Sequence, residues 1–281
     1  SFIQEIEGMT FPEAVRYLAQ ETGVDMPQDE SSTGGPSEKE LLLEAHAWAL
    51  KLYRYLLHHP RHGAVAQAYL RQRGMDGKVA QAFQLGYAPA QWDVLAKFLQ
   101  RKGFSPELLA KGGLLSETKG QNRYYDKFRQ RLIIPIFDLR GRVIAFGGRL
   151  IHPSDQQPKY LNSPETMLFS KSRVLYHLHQ ARPVIREKNE VIIMEGYMDV
   201  ITAVQYGIEH VVATLGTAVT PEHARVLRRH AEKVVLCFDS DRAGQDASLR
   251  GIDVLRQAGC SVRIAEIPQG KDPDQYIREN G

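Results

Sequence analysis

The stretch "VVLCFDSDRAGQDA" (234–247) sets five mostly apolar residues directly against Asp239, Ser240, Asp241 and Arg242. Upstream, "VIIMEGYMDV" (191–200) has the same design, an apolar run that ends in Glu195 and Gly196. Apolar runs of this length, bounded by polar or turn residues, read as buried strands. Two more runs, 211–214 and 262–265, join 191–194 and 234–238, with helical patterns at 197–206, 221–231 and 243–258 between them. Thr220 followed by Pro221 starts a helix well, because Thr can cap and Pro suits the first turn. Gly207 and Gly259 stand where helices should end. Strand–helix alternation at this spacing predicts an α/β fold, a mostly parallel sheet flanked by helices.

In such a sheet ligands bind beyond the carboxyl ends of the strands. Glu195 and Asp239 each follow a strand, and Asp241, two residues after Asp239, faces the same side in extended backbone. A third acidic pair, Asp272 and Asp274, flanks Pro273 in "GKDPDQYI", and the proline is expected to hold both in extended or turn geometry. Asp199, four residues after Glu195, either touches the same site or orients a ligand there. One Asp after a strand is often a helix cap or turn residue. Acids at three strand ends point instead to a shared site. Converging carboxylates repel one another unless a cation neutralises them. Oxygen ligands, with no Cys or His in these motifs, suit the hard cations Mg²⁺ or Mn²⁺. Clusters of this kind serve phosphoryl or nucleotidyl transfer, and the acids alone leave the direction of that chemistry open.

The first half has a different pattern. A short amphipathic helix is expected at 11–23, then a linker, "PQDESSTGGPSE" (27–38), rich in Gly, Ser and Pro. Helical patterns follow at 39–59, where Pro60 stops the run, and at about 64–73, 76–84, 92–102 and 105–111. "RLIIPIFD" (131–138) and "VIAFGGRL" (143–150), joined by Leu139-Arg140-Gly141-Arg142, read as an antiparallel hairpin. The division expected is therefore a helical and mixed α+β subdomain over 1–182 and an α/β subdomain over 183–281.

Charge follows that division. Residues 101–188 carry 17 Lys/Arg against 7 Asp/Glu, whereas 189–281 carry 10 against 14. A cationic segment followed by an acidic, metal-holding one suits a polyphosphate or nucleic-acid backbone. Gly147-Gly148 is expected to let backbone approach a phosphate that Arg149 grips in two-point fashion. Lys159 and Lys171 would act as point charges, with Tyr160 free to stack on a base. The 281 residues, 43% hydrophobic, contain no run long enough for a membrane span and no signal-peptide pattern at the start. Cys237 and Cys260 fit neither a disulfide framework nor a zinc site, which is the expectation for a reduced cytoplasmic protein.

"MEGYMDV", "FDSDRAG" and "KDPD" together resemble the TOPRIM domain, shared by bacterial DnaG-type primases with type IA and type II topoisomerases. "RLIIPIFDLRGRVIAFGGR" and "PKYLNSPET…FSKSRVLY" resemble the primases specifically, and the resemblance runs from about Phe11 to the end of the chain. It implies an RNA polymerase core that makes short RNA primers on single-stranded DNA from ribonucleoside triphosphates, with Mg²⁺ or Mn²⁺. It further implies metal-coordinating roles for Glu195, Asp239 and Asp241, with Asp272 and Asp274 as the later acidic pair and Asp199 as a further active-site position. Arg149, Lys159, Asn162 and Lys171 match residues that bind nucleotide or template, and Arg73, Arg129 and Arg131 are further template contacts. An RNA–DNA hybrid is implied as a partner, with either it or the template in the groove. A replicative helicase is implied as partner through a domain expected outside these 281 residues. The zinc-binding module of the family is likewise expected elsewhere, so no zinc is expected here. Two rival readings remain: a topoisomerase or nuclease, which breaks DNA with the same acids, and a non-catalytic module that only binds single-stranded nucleic acid.

Overall fold

Leu42, Ala45, Ala49, Tyr53, Leu56 and Leu57 recur at helical spacing and form the buried stripe of the first described helix, α1 (Glu38–His58). The structure, a computed structural model, describes residues 35–118, 123–152, 154, 156–240, 242–268 and 272–280, without the side chains of 242, 243, 245 and 246. The helix expected at 11–23, most of the linker at 27–38, and Asp241 lie outside the described residues. Residues Glu38–Gly281 form one compact unit.

After α1 come α2 (Ala64–Gln72), α3 (Gly77–Ala82), β1 (Gly86–Ala88), α4 (Val94–Gln100) and α5 (Pro106–Lys111). A ribbon of β2 (Leu115–Thr118) and β3 (Arg123–Asp126) leads into β4 (Arg131–Phe137), β5 (Val143–Leu150) and β6 (Tyr160–Asn162). The β4–β5 hairpin read from the sequence is present and forms the middle of an antiparallel sheet ordered β1-β4-β5-β6. Strands β1 and β6 had no signal of their own. Three residues are too few to show a period, and pairing with β4 and β5 makes them strands.

The second half alternates as expected: α6 (Leu178–Lys188), β7 (Glu190–Met194), α7 (Tyr197–Gln205), β8 (Val211–Ala213), α8 (Pro221–Arg228), β9 (Lys233–Leu236), α9 (Arg242–Gln257), β10 (Ser261–Ile264) and α10 (Pro273–Asn280). Its four strands are all parallel, in the order β10-β9-β7-β8. Thr220 caps α8 by accepting from the His223 amide at 3.1 Å, and Gly207 and Gly259 take positive φ just past α7 and α9. The chain runs from β7 outward to β8, then crosses back to place β9 on the other side of β7. The strand order therefore reverses between β7 and β9, which opens a crevice at their carboxyl ends.

The extended or turn geometry expected of this pair fails for Asp274, because Pro273 is the first residue of α10 and Asp274 the second, while Asp272 stays outside the helix. A proline tolerates the first helical turn, where its missing N–H has no intrahelical partner to lose. Asp272 sits just before it and accepts from the Gln275 amide at 2.7 Å, as an N-cap does.

Period-2 burial sorts both sheets into layers. Leu132, Ile134 and Ile136 of β4 share a core with Met194 of β7 and with Tyr197, Met198 and Ile201 of α7. Ile133 points the other way, into a core with Tyr53, Leu95, Leu99, Phe128 and Phe146. Val191, Ile193, Val234 and Leu236 face Leu178, Ile185, Leu227 and Leu255 on the far side of the parallel sheet. Helix α7 thus shares one core with both sheets. No described helix is long and apolar enough to cross a membrane.

His46 of α1 is buried in the second of these cores, stacked on Phe146, with its Nδ1 at 2.7 Å from the Leu42 carbonyl oxygen. Burial lowers its pKa to about 4. Between pH 6.5 and 4 the unfolded chain therefore binds a proton that the folded one refuses, and stability falls as pH falls through that window. His46→Phe should flatten the pH dependence of unfolding free energy there by up to about 1 kcal/mol per pH unit. Urea melts at several pH values check this; parallel curves for variant and parent would contradict it.

Candidate active site

Glu195 directly follows β7, and Asp239 stands three residues past β9, so the two acids flank the point where the strand order reverses. The Asp239 amide donates to Glu195 Oε1 at 3.1 Å. Gly244, in the first turn of α9, lies so close that a Cβ there would fall 2.8 Å from the same Oε1. The glycine of "FDSDRAG" is therefore needed for α9 to start against Glu195, and its place in the motif was the signal for it.

Asp199, in the first turn of α7, is buried. Its Oδ2 accepts from the Gly196 amide at 3.0 Å and its Oδ1 from the Asp274 amide at 3.2 Å. Burial, with the charge of Asp239 second, pushes its pKa up to about 7. Asp274 is 4% exposed and engaged by Arg73, Arg278 and Thr202. One cavity of ≈ 230 Å³ is lined by Glu195, Asp199, Asp239, Asp272 and Asp274 and, on its cationic side, by Arg73, Arg149 and Lys159. Five of the acids singled out in the sequence thus meet, although they come from β7, α7, β9 and the start of α10. Among the described residues no three acidic, His or Cys side chains stand ready to hold an ion as a group. Asp199 and Asp274 are both engaged by protein donors. The donor set is oxygen only, which still fits a hard divalent cation.

The basic residues divide. Arg149 of β5 is buried, donates from Nη1 to the Tyr160 hydroxyl, and lies between the Tyr69 and Tyr160 rings at 5.6 and 5.0 Å from their centroids. Its Nε is buried without a hydrogen-bond partner. Tyr69 of α2 also faces Arg73, four residues on, and was missed because an aromatic–Arg pair at helical spacing is common on any helix. Asn162 takes a structural position: it accepts from the Tyr197 hydroxyl at 2.7 Å and donates to the Leu215 carbonyl at 3.0 Å, which ties β6 to α7 and to the loop after β8. Arg131, the first residue of β4, is buried and donates to Gly148 O at 3.1 Å. Arg129 stacks on Trp92 and Tyr125, with its guanidinium carbon 3.9 and 5.1 Å from the ring centroids. Lys171 does not line the acid cavity. Its amide donates to Glu165 and its carbonyl meets His223 Nε2, while its charge lies close enough to Lys127 to help lower that residue's pKa, after burial.

Gly147 and Gly148 are not there to admit a phosphate. They lie in regular antiparallel pairing, opposite Ile134 and Ile133. A Cβ on Gly147 would meet the Tyr197 ring at 2.5 Å, and one on Gly148 would meet Phe128 at 2.7 Å. The space that glycine leaves on each face of β5 is filled by an aromatic ring.

Comparison with known proteins gives one consistent result. A family model described as "DNA primase catalytic core, N-terminal domain" matches residues 52–182, and one described as "Toprim-like" matches 192–277. A DNA primase of Halalkalibacterium halodurans is 43% identical over 282 residues, which take in 100% of this chain and 47% of that protein. This chain spans about half the length of the curated relatives it matches. Among solved structures, an E. coli primase catalytic core is 41% identical, with a TM-score of 0.78 over 85% of this chain and 76% of that one. A DnaG primase catalytic domain bound to single-stranded DNA is 39% identical, with a TM-score of 0.78 over 87% and 76% of the two chains.

The Tyr197–Gly147 contact makes a direct prediction. Gly147→Ala should cost about 1–3 kcal/mol of stability, the usual penalty for overpacking. Tyr197→Ala in the same chain should recover most of that penalty. A double-mutant cycle from denaturant melts reads the coupling; additive effects would show that the ring is not what excludes a side chain at 147.

Proposed function

This chain belongs to the DnaG-type DNA primase family, and we propose that it forms the part of the catalytic core that makes short RNA primers on single-stranded DNA by nucleotidyl transfer. In this reading the 3′-hydroxyl oxygen of one ribonucleotide attacks the α-phosphorus of the next triphosphate. A new P–O bond forms, the bond to the β-phosphate breaks, and pyrophosphate leaves with its electron pair. The observation that carries the reading is a cavity at the strand-order reversal whose lining combines five acids with Arg73, Arg149 and Lys159.

Glu195, Asp239, Asp241 and Asp272 are the residues assigned to Mg²⁺ or Mn²⁺, which when bound activates the attacking hydroxyl and stabilises the leaving oxygens. Asp199 braces the turn before α7 and the start of α10 beneath them. Arg149 and Lys159 grip the triphosphate or template backbone, and Arg73 adds a third cation. Asn162 and Arg131 hold the cationic wall in place, while Arg129 with Trp92 and Lys171 extend it outward. The segments 1–182 and 183–281 supply the basic wall and the acidic edge. The RNA–DNA hybrid leaves through the groove between them, and a replicative helicase would be engaged from elsewhere in the longer protein. A cytoplasmic setting accords with Cys237 and Cys260, both free and buried.

Burial pushes the Tyr160 hydroxyl at the cavity wall up to about 12 and that of Tyr197 behind it higher still, so neither stands ready as a phenolate nucleophile.

The test is one incubation of labelled ribonucleotides with end-labelled single-stranded DNA in Mg²⁺ and in Mn²⁺. Short template-dependent RNA is expected. Glu195→Gln and Asp239→Asn should each cut synthesis by more than the roughly 10–100-fold that loss of an outer-shell partner costs, with DNA binding retained. Cleaved or protein-linked DNA would favour the topoisomerase or nuclease reading. Intact DNA without RNA, with binding indifferent to metal, would favour a binding module. Separately, Lys159→Ala should lower affinity for single-stranded DNA and reduce the log–log salt slope by about 0.7, the share of one phosphate contact. An unchanged slope would remove Lys159 from the backbone contacts.

A further inference from the structure

Asp274 is the acid of the cavity whose surroundings least resemble those of a metal ligand. A carboxylate has about four lone-pair directions to offer. Thr202 Oγ1 donates to Oδ1 at 2.6 Å and Arg278 Nε to the same oxygen at 3.2 Å. Arg73 Nη1 donates to Oδ2 at 2.8 Å and Arg278 Nη2 at 3.1 Å. Those four bonds account for both oxygens. Arg278 lies one turn along α10 and grips the carboxylate with both its Nε and its Nη2, the strongest geometry such a pair can take. Thr202 is buried in α7, and Arg73 comes from the end of α2, with its side chain 22% exposed at the cavity.

The charges also matter. One carboxylate faces two guanidinium groups, so the set carries a net positive charge where a cation ligand would have to present a negative one. Freeing an oxygen for metal would leave a buried Thr hydroxyl or a half-buried guanidinium unpaired, at the cost of desolvation. Arg73, in contrast, spends one hydrogen bond on Asp274 among its five donors and keeps the rest for the cavity.

We propose that Asp274 is an anchor and not a metal ligand, and that Thr202 and Arg278 are positioning residues: they fix the Asp274 carboxylate, which holds Arg73 at the rim of the acid cavity. Helix α10 is thereby locked to α7 and α2 through one buried carboxylate. The kinetic part of this inference rests on the nucleotidyl-transfer reading above; its metal-binding part does not.

The experiment compares five variants with the parent: Arg278→Ala, Arg278→Lys, Thr202→Val, Asp239→Asn, and the charge-balanced pair Asp274→Asn with Arg278→Gln. Mn²⁺ binding is read from the electron paramagnetic resonance signal of the free ion, and kcat and the ribonucleotide KM from primer synthesis. A thermal melt accompanies each. The charge-balanced pair should bind Mn²⁺ as the parent does, while Asp239→Asn should bind it at least about tenfold more weakly. Arg278→Ala and Thr202→Val should raise KM about tenfold with a smaller change in kcat, because a binding contact has moved and the reacting groups have not. Arg278→Lys, which keeps the charge but loses the two-point grip, should recover part of that rise. Loss of Mn²⁺ binding in the charge-balanced pair, equal to that of Asp239→Asn, would make Asp274 a ligand and overturn the proposal. So would a KM unmoved in both Arg278 variants. If Arg278→Ala melts near the assay temperature, Arg278→Lys decides the kinetic part alone. If even the parent makes no RNA, the nucleotidyl-transfer reading fails by itself, and Mn²⁺ binding still decides whether Asp274 is a ligand.

Discussion

The Tyr197 ring lies where Gly147 has no side chain, and much of the molecule depends on that contact. Tyr197 opens α7, two residues after Glu195, so the ring fixes the carboxyl end of β7 against the antiparallel sheet. Its hydroxyl then reaches Asn162 on β6, the strand beside β5. Interiors are packed as densely as crystals, so a ring seated this tightly leaves the two sheets little freedom to shift against each other. Arg149 on the antiparallel sheet and the acids past the strand ends of the parallel sheet are thereby held around one cavity.

That juxtaposition is electrostatically expensive without internal compensation, and the structure shows how the compensation is shared. Carboxylates gathered in one place repel, and burial adds a desolvation cost. Asp199 meets this with two amide donors and a pKa raised to about 7. Asp274 meets it with two guanidinium groups and a hydroxyl, and Asp272 with the Gln275 amide in the first turn of α10. Opposite them Arg149 is packed between two tyrosine rings, and its Nε has no hydrogen-bond partner. One cation, Arg73, is spent directly on an acid, Asp274, while Arg149 is packed against rings.

Several features of the site could be read from the chain because they are local. An apolar run of strand length that stops at Glu195 or Asp239 puts the acid at a strand end whatever the rest of the fold does. Thr220-Pro221, Gly207 and Gly259 announced helix ends for equally local reasons. The reading failed where a residue's environment comes from elsewhere. "KDPD" was expected to be extended or turn on both sides of Pro273; Asp272 does stay out of the helix, yet the same proline is a good first residue of α10 and carries Asp274 into it. Gly147-Gly148 looked like a phosphate approach because nothing nearby in the chain reveals that Tyr197, fifty positions on, and Phe128 fill the space.

By itself, then, the sequence determined an α/β sheet with acids at the ends of its strands, followed from a basic, mixed α+β half. The cause is that hydrophobic period, caps and turn residues act over a few positions. Only the tertiary structure decided that Asp199 and Asp274 are engaged by protein donors from other elements. Asp274 meets Thr202 across 72 positions and Arg73 across 201, and no local spacing encodes a pair that chain closure alone brings together.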